Sequence, residues 1–302
     1  MLMNKTFANK SARIFVNIII FTSLWFLAAS CASLAKIPKD LSSLELLPQK
    51  AFAYAKLDAD SFRDLAINLD KRAAPAITEL AKRSQLVYLA FTKNAYSKKP
   101  DFFAVAEGNY PARAASMMLK NDKAWKKEGT QFALKNGGIY LAFAGYSRII
   151  FSSQPINPTL EAIYSRPDYA VPEYSFYKAI LEHTALPIAI YLPEPLSFFT
   201  DYVPVLESGV PLKSLLLTAD NGAKDFYVAK LDFEFDSARS SRIYAPLCRV
   251  FLYAAANMLW PERAATVLDA ALWSTDGSHV MAANLPLDVK AVAVFAAQLW
   301  QD

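Results

Sequence analysis

Residues 225–242 read DFYVAKLDFEFDSARSSR, and residues 101–116 read DFFAVAEGNYPARAAS. Both open with Asp, Phe and a second aromatic residue, continue with strand-like alternation, and run into Ala-Arg: Ala238-Arg239 and Ala112-Arg113. In the first stretch Asp232, Glu234 and Asp236 share one side of an extended chain, and Phe233 and Phe235 share the other. That period of two is the mark of a strand with one buried face. The Ala-Arg steps then begin segments of helical composition, so each stretch predicts a strand delivered into a helix.

Working outward, the neighbourhood of each stretch has the same order. AFAYAKL (51–57) and LPIAIYL (186–192) are strand candidates followed by helical segments, and QLVYLAFT (85–92) and LKSLLLTAD (212–220) are the strands that come next. Downstream, GGIYLAFAGYSRIIFSS (137–153) predicts a hairpin turning at Gly145. AALWSTDGSHVMAANL (270–285) predicts another at Asp276-Gly277, where Asp-Gly suits a tight turn. Closing helices are expected over 157–166 and from 289 onward. The expected fold is therefore α+β: two similar β-α-β-β-α-β-β-α units with a mostly antiparallel sheet and helices packed on it. A single irregular α+β domain is the alternative.

The long apolar segment IYAPLCRVFLYAAANMLW (243–260) contains Arg249, and Arg242 lies seven residues before it on the same helical face. A mid-membrane arginine is costly, so the segment reads as a core helix with one wet edge. Shallow insertion into lipid is a further option. Between the units, the connector carries Pro155, Pro158, Pro167 and Pro172 with Tyr164, Tyr169, Tyr174 and Tyr177. Those tyrosines either cover the joint between the units or present a contact surface, since tyrosine offers a large amphipathic area.

At the N-terminus, Lys5, Lys10 and Arg13 precede an apolar run over 14–29, followed by Ala28-Ala29-Ser30 and Cys31. This is the three-part pattern of a secretory signal peptide, and the run is shorter than the roughly 20 residues of a membrane span. Leu27-Ala28-Ala29-Ser30-Cys31 resembles the lipobox of bacterial lipoproteins in its relaxed, spirochaete-type form, with Leu27 one position earlier than usual. The resemblance implies cleavage before Cys31, lipid on that cysteine, and export to a cell envelope. Ala32 after the cysteine, rather than Asp, implies the outer membrane under the rule of enteric lipoproteins. A cut near Ser33-Leu34-Ala35 or an uncleaved anchor are the alternatives. The expected division is 1–30 signal peptide, 31–49 lipid-anchor tether, 50–153 first unit, 154–185 connector and 186–302 second unit.

Without the leader, 29 basic residues face 28 acidic ones, so nucleic-acid binding loses its electrostatic support. Cys248 is then the one cysteine besides Cys31, in an apolar context that suits a buried thiol. His183 and His279 are too few for a metal site, and His279 reads as an exposed hairpin residue. Ser147 in AGYSRII lacks the second glycine of a hydrolase elbow, and eight glycines supply no phosphate loop. Asp58 with Asp60, and the 232–236 carboxylates, are candidate acid or cation groups, but strand and helix starts explain them. The residues thus predict a non-catalytic envelope protein without cofactor or metal, lipid-anchored at Cys31 and facing the periplasm. Its work is binding envelope proteins or scaffolding. A lipid or amphiphile held between sheet and helices is the alternative, and a secreted hydrolase a minor one.

Overall fold

The computed structural model describes residues 41–69, 79–94, 97, 100–135, 138–164, 178–180, 182–183, 185–196, 209–222, 226–259 and 261–288. The leader, Cys31, residues 165–177 of the connector and the expected closing helix from 289 lie outside the described residues.

Twelve strands form one sheet. They are β1 (Ala53–Asp58), β2 (Ser84–Thr92), β3 (Asp101–Gly108), β4 (Trp125–Glu128), β5 (Gln131–Leu134), β6 (Tyr140–Ala144), β7 (Arg148–Ser152), β8 (Ile188–Leu192), β9 (Leu212–Asn221), β10 (Phe226–Phe235), β11 (Leu272–Asp276) and β12 (His279–Asp288). The helices are α1 (Ala59–Leu69), α2 (Ala112–Asn121), α3 (Ile156–Tyr164), α4 (Ala238–Leu259) and α5 (Ala264–Ala270). The strand order is β11-β12-β10-β9-β8-β1-β2-β3-β7-β6-β5-β4, and every neighbouring pair is antiparallel. Outward from β1 the order is β1, β2, β3, β7, β6; outward from β8 it is β8, β9, β10, β12, β11. Among the described residues the β4–β5 hairpin extends only the first of these series, and α5 is found only in the second.

Alternation along the strands divides the apolar side chains between two faces. On the face that carries α4, Leu231, Phe233 and Phe235 of β10 pack with Leu215, Ile188 and Leu57 under Cys248, Phe251 and Leu252. The rings of Phe233 and Phe251 meet edge to face at 5.9 Å, and Phe235 stacks on Tyr244 at 6.0 Å. The same face continues through Phe62 of α1 to Val87, Ile149, Phe143 and Tyr110, beneath α2. On the opposite face Tyr54, Tyr88, Val105, Ile150 and Tyr191 lie under Ile156 and Leu160 of α3. Helices therefore cover both sides of the sheet, a three-layer arrangement.

Residues 41–47 belong to this second core and not to the tether. Leu41, Leu44, Leu46 and Leu47 are buried there. The turn that aims them inward is closed by a reciprocal pair: the Ser42 amide donates to Glu45 Oε2 (2.6 Å) and the Glu45 amide to Ser42 Oγ (3.3 Å). Arg148 Nη1 of β7 donates to the Leu41 carbonyl. The polar spacing of LSSLELL had concealed the leucines' common direction.

The hairpin of β4 and β5, which the sequence reading had not anticipated, turns at Gly129 with φ +62°. Its Gln131 is buried and caps α3 from outside the helix, accepting from the amides of Ile156 (2.8 Å) and Asn157 (3.3 Å). The expected turns are found at Gly145 (φ +76°) and Gly277 (φ +52°), left-handed positions that favour glycine. Gly108 is required for a different reason. A Cβ there would lie 2.0 Å from the Arg83 carbonyl oxygen, so only glycine lets β3 leave the sheet beside β2.

Two stability outcomes follow from these contacts. Gln131→Ala should lower unfolding free energy by about 2 kcal/mol in urea titrations, because helix amides lose their acceptor in a buried place, whereas Gln131→Glu should retain most of it. Gly108→Ala should cost about 2 kcal/mol or more, as backbone must move to admit the methyl group.

Candidate functional site

The surface with most unassigned chemistry is the outer side of α4 and the strand next to it. The helix begins where the Ser237 hydroxyl accepts the Ser240 amide (3.2 Å), an N-cap. Ser241 is fully buried and donates to the Gly277 carbonyl (2.8 Å), tying the first turn to the β11–β12 hairpin. Pro246 removes one interior amide, and it lies on the exposed side of the helix.

Cys248, Phe251, Leu252 and Ala256 face the core, which leaves Arg239, Arg242, Ile243, Pro246, Arg249, Val250, Tyr253 and Asn257 on the outer side. Ile243 is 59% exposed, Val250 55% and Tyr253 45%, interleaved with three arginines. No acidic residue occurs anywhere in α4. The Arg249 guanidinium lies over the Trp273 ring, 5.5 Å from its centre, and so joins the helix surface to β11. Leu272, at the start of β11, is 66% exposed. The wet edge expected for this helix is thus a mixed basic and apolar stripe. Its signal in the sequence was the absence of Asp and Glu from 238–259; the Arg249–Trp273 stack depends on sheet order and had no local signal.

The other candidate groups are held in structural bonds. Asp58 Oδ1 accepts the Ser61 amide (2.8 Å) at the start of α1, and Asp60 pairs with Arg63 one turn on (2.7 Å). Asp232 meets His279 Nδ1 across β10 and β12 at 2.9 Å, so His279 is a cross-strand partner and not simply an exposed hairpin residue. Glu234 Oε2 accepts from Ser214 of β9 (2.7 Å). Asp236 is exposed at the start of α4, where hydrogen bonds from Ser240 and then Ser237 hold its carboxyl below the usual range. Asp232 and Glu234 share a face of β10, whereas Asp236 lies beyond the strand's end and a register shift, so the three do not form the single strand face their spacing implied; each has its own partner and they do not converge. Among the described residues no cluster of three metal-ligating side chains exists.

Ser147 is exposed in the β6–β7 turn, and its carbonyl accepts the Gly108 amide (2.9 Å). His183 is half-buried in the turn after Ile180, with backbone bonds to Ile180 and Leu186. The described residues bring neither histidine together with Ser147. Tyr164 ends α3, its side chain lies outside what is described, and Tyr169, Tyr174 and Tyr177 lie outside the described residues with Cys31.

Several buried groups are displaced from their ordinary acidities. Lys56 of β1, 1% exposed, donates from Nζ to the Leu186 carbonyl; burial lowers its pKa, and the charge of Asp58 opposes that shift. Burial raises the Tyr110 hydroxyl, which bonds Ser84 (2.9 Å). Burial pushes the Cys248 thiol to about 12. Among the described residues no helix is long and apolar enough to cross a membrane.

No family model matches the chain, and no curated protein matches it. Solved structures do. Crystal form I of TP0453 is 15% identical, with TM-score 0.62, over 87% of this chain and 100% of that one. Form III is 14% identical, with TM-score 0.60, over 86% and 100%; form IV is 14% identical, with TM-score 0.59, over 85% and 97%. At this identity the likeness is one of fold: mixed α and β structure with a mostly antiparallel sheet.

The Cys248 shift has a testable sign. A thiol whose folded pKa is raised contributes stability that is complete below the unfolded value, about 8.5, and is lost as pH rises towards the folded value. Between pH 7 and pH 10, wild type should lose about 2 kcal/mol more unfolding free energy than Cys248→Ala, read from urea titrations. Native protein should also resist thiol reagents at pH 8 until it unfolds.

Proposed function

We propose that the chain is an exported envelope lipoprotein, anchored by lipid on Cys31, that works by binding and not by catalysis. The observation that carries the binding reading is the α4 stripe. Its arginines and apolar side chains stand exposed, while Asp58 is held in a helix cap, Asp232, His279 and Glu234 in cross-strand pairs, and Cys248 in the core. Arg, Tyr and Trp are the side chains that dominate protein contact sites. The anchoring reading is supported by the leader, whose Leu27-to-Cys31 stretch resembles a relaxed lipobox. An envelope location facing the periplasm follows from that reading, with the outer membrane favoured by Ala32.

We further read the body as two copies of one unit. The support is the matching strand order outward from β1 and from β8, together with the two strand-to-helix entries at Ala112 and Ala238. In this reading the β4–β5 hairpin is an addition to the first copy and α5 an addition to the second.

The anchor is tested by metabolic labelling with a tagged fatty acid. The wild-type chain should take up label and sediment with membranes, and Cys31→Ser should do neither. Label retained by the variant, or absent from wild type, sinks the anchoring reading.

A further inference from the structure

The sheet has two ends, and they differ. β4, at one end, reads WKKE, and Lys126 pairs with Glu128 at 2.9 Å. Three charges in four residues are a familiar defence of an edge against unwanted pairing. β11, at the other end, reads LWSTD, with one charge at its last position. Its register with β12 is regular from Leu272↔Ala283 to Asp276↔His279, and among the described residues it pairs with β12 alone. Among the described residues the outer row of its backbone amides and carbonyls therefore has no strand beside it, and apart from Asp276 at its end no charge, proline or bulge interrupts it.

Resting on the reading that this chain works by binding, we propose that β11 receives an extended acidic segment of a partner protein as an added strand, with Arg249 as its charge reader. Alternation along β11 fixes the chemistry of that segment. Trp273 is packed with the α4-side core, so it and Thr275 lie on that side of the sheet, while Leu272, Ser274 and Asp276 point to the opposite one. An added strand continues both faces at about 4.8 Å. Its α4-side residue comes beside Trp273, within the field of the Arg249 guanidinium that lies over that ring. Arg239 and Arg242 extend the positive surface, and among the described residues none of the three is paired with a carboxylate. A Glu or Asp suits that position. On the other face the neighbour is Leu272, 66% exposed, which suits an apolar residue.

Other occupants fit less well. A bilayer cannot satisfy the unpaired backbone groups of an edge strand, whereas another strand does so directly. Self-pairing of two β11 strands about Ser274 sets Leu272 against Asp276 and brings no carboxylate to Arg249.

The test titrates the full chain, in detergent, with short peptides that alternate Val with Glu or Val with Lys, and follows hydrogen exchange of the 272–276 amides. The Glu peptide should bind saturably and slow exchange in β11, and the Lys peptide should bind about tenfold more weakly. Arg249→Glu, at an exposed position, should reverse that preference and leave the unfolding midpoint nearly unchanged. The proposal is overturned by equal binding of both peptides, by binding of neither, or by protection confined to α4. Concentration-dependent self-association that protects β11 without peptide, or protection by anionic vesicles instead, overturns it as well. None of these readouts depends on Cys31: a chain that carries lipid but ignores both peptides loses only this proposal, and one that binds the Glu peptide but takes no lipid loses only the anchor.

Discussion

Four residue pairs, Tyr54↔Tyr191 to Leu57↔Ile188, join β1 to β8, and through that short ladder the two series of strands become one sheet. Both of its faces are buried. Tyr54, Ala189 and Tyr191 belong to the core under α3, whereas Ala53, Leu57, Ile188 and Leu192 belong to the core under α4. A slip of one residue would exchange every side chain between two differently shaped cores, so the register is set twice over. Lys56 adds a third condition, because its ammonium is buried at the seam and reaches the Leu186 carbonyl only in this register. The helices are positioned by the strands, so their placement depends on this ladder too.

Much of the local structure was legible from the chain itself. The alternation at 231–235 buries Phe233 and Phe235 as its period implied, and the helices start at Ala112 and Ala238. The turns at Gly145 and Gly277 are set by residues that tolerate positive φ. The β4–β5 hairpin escaped notice because WKKEGTQFAL is short and half charged, and its value lies in Gln131, whose partners are 25 and 26 residues away. The same limit hid the burial of Leu44, Leu46 and Leu47 and the meeting of His279 with Asp232. Periodicity reports which side of an element is apolar; it does not report which distant element supplies the other half of a polar pair.

That distinction also organises the functional reading. Residue types associated with reactions are present, but the fold uses them locally: Asp58 caps a helix, Ser214 and Glu234 pair across strands, and Cys248 is a small buried hydrophobe. Among the described residues, groups left with unused capacity include the α4 arginines, the apolar side chains between them, and the outer backbone row of β11. These suit recognition, which needs complementary charge and area, more than chemistry, which needs groups converging on one atom.

The seam has a consequence in time. Lys56 and Leu186 are 130 residues apart in sequence, so β1 is synthesised well before the strand that covers it. Until β8 arrives, β1 is a newly made, strongly apolar edge, the kind of strand on which foreign chains nucleate aggregates. A lysine in its middle is an inward-pointing charge on that edge, one of the devices by which open strands resist the wrong neighbour. The same ammonium that is costly to bury in the finished protein therefore guards the unfinished one.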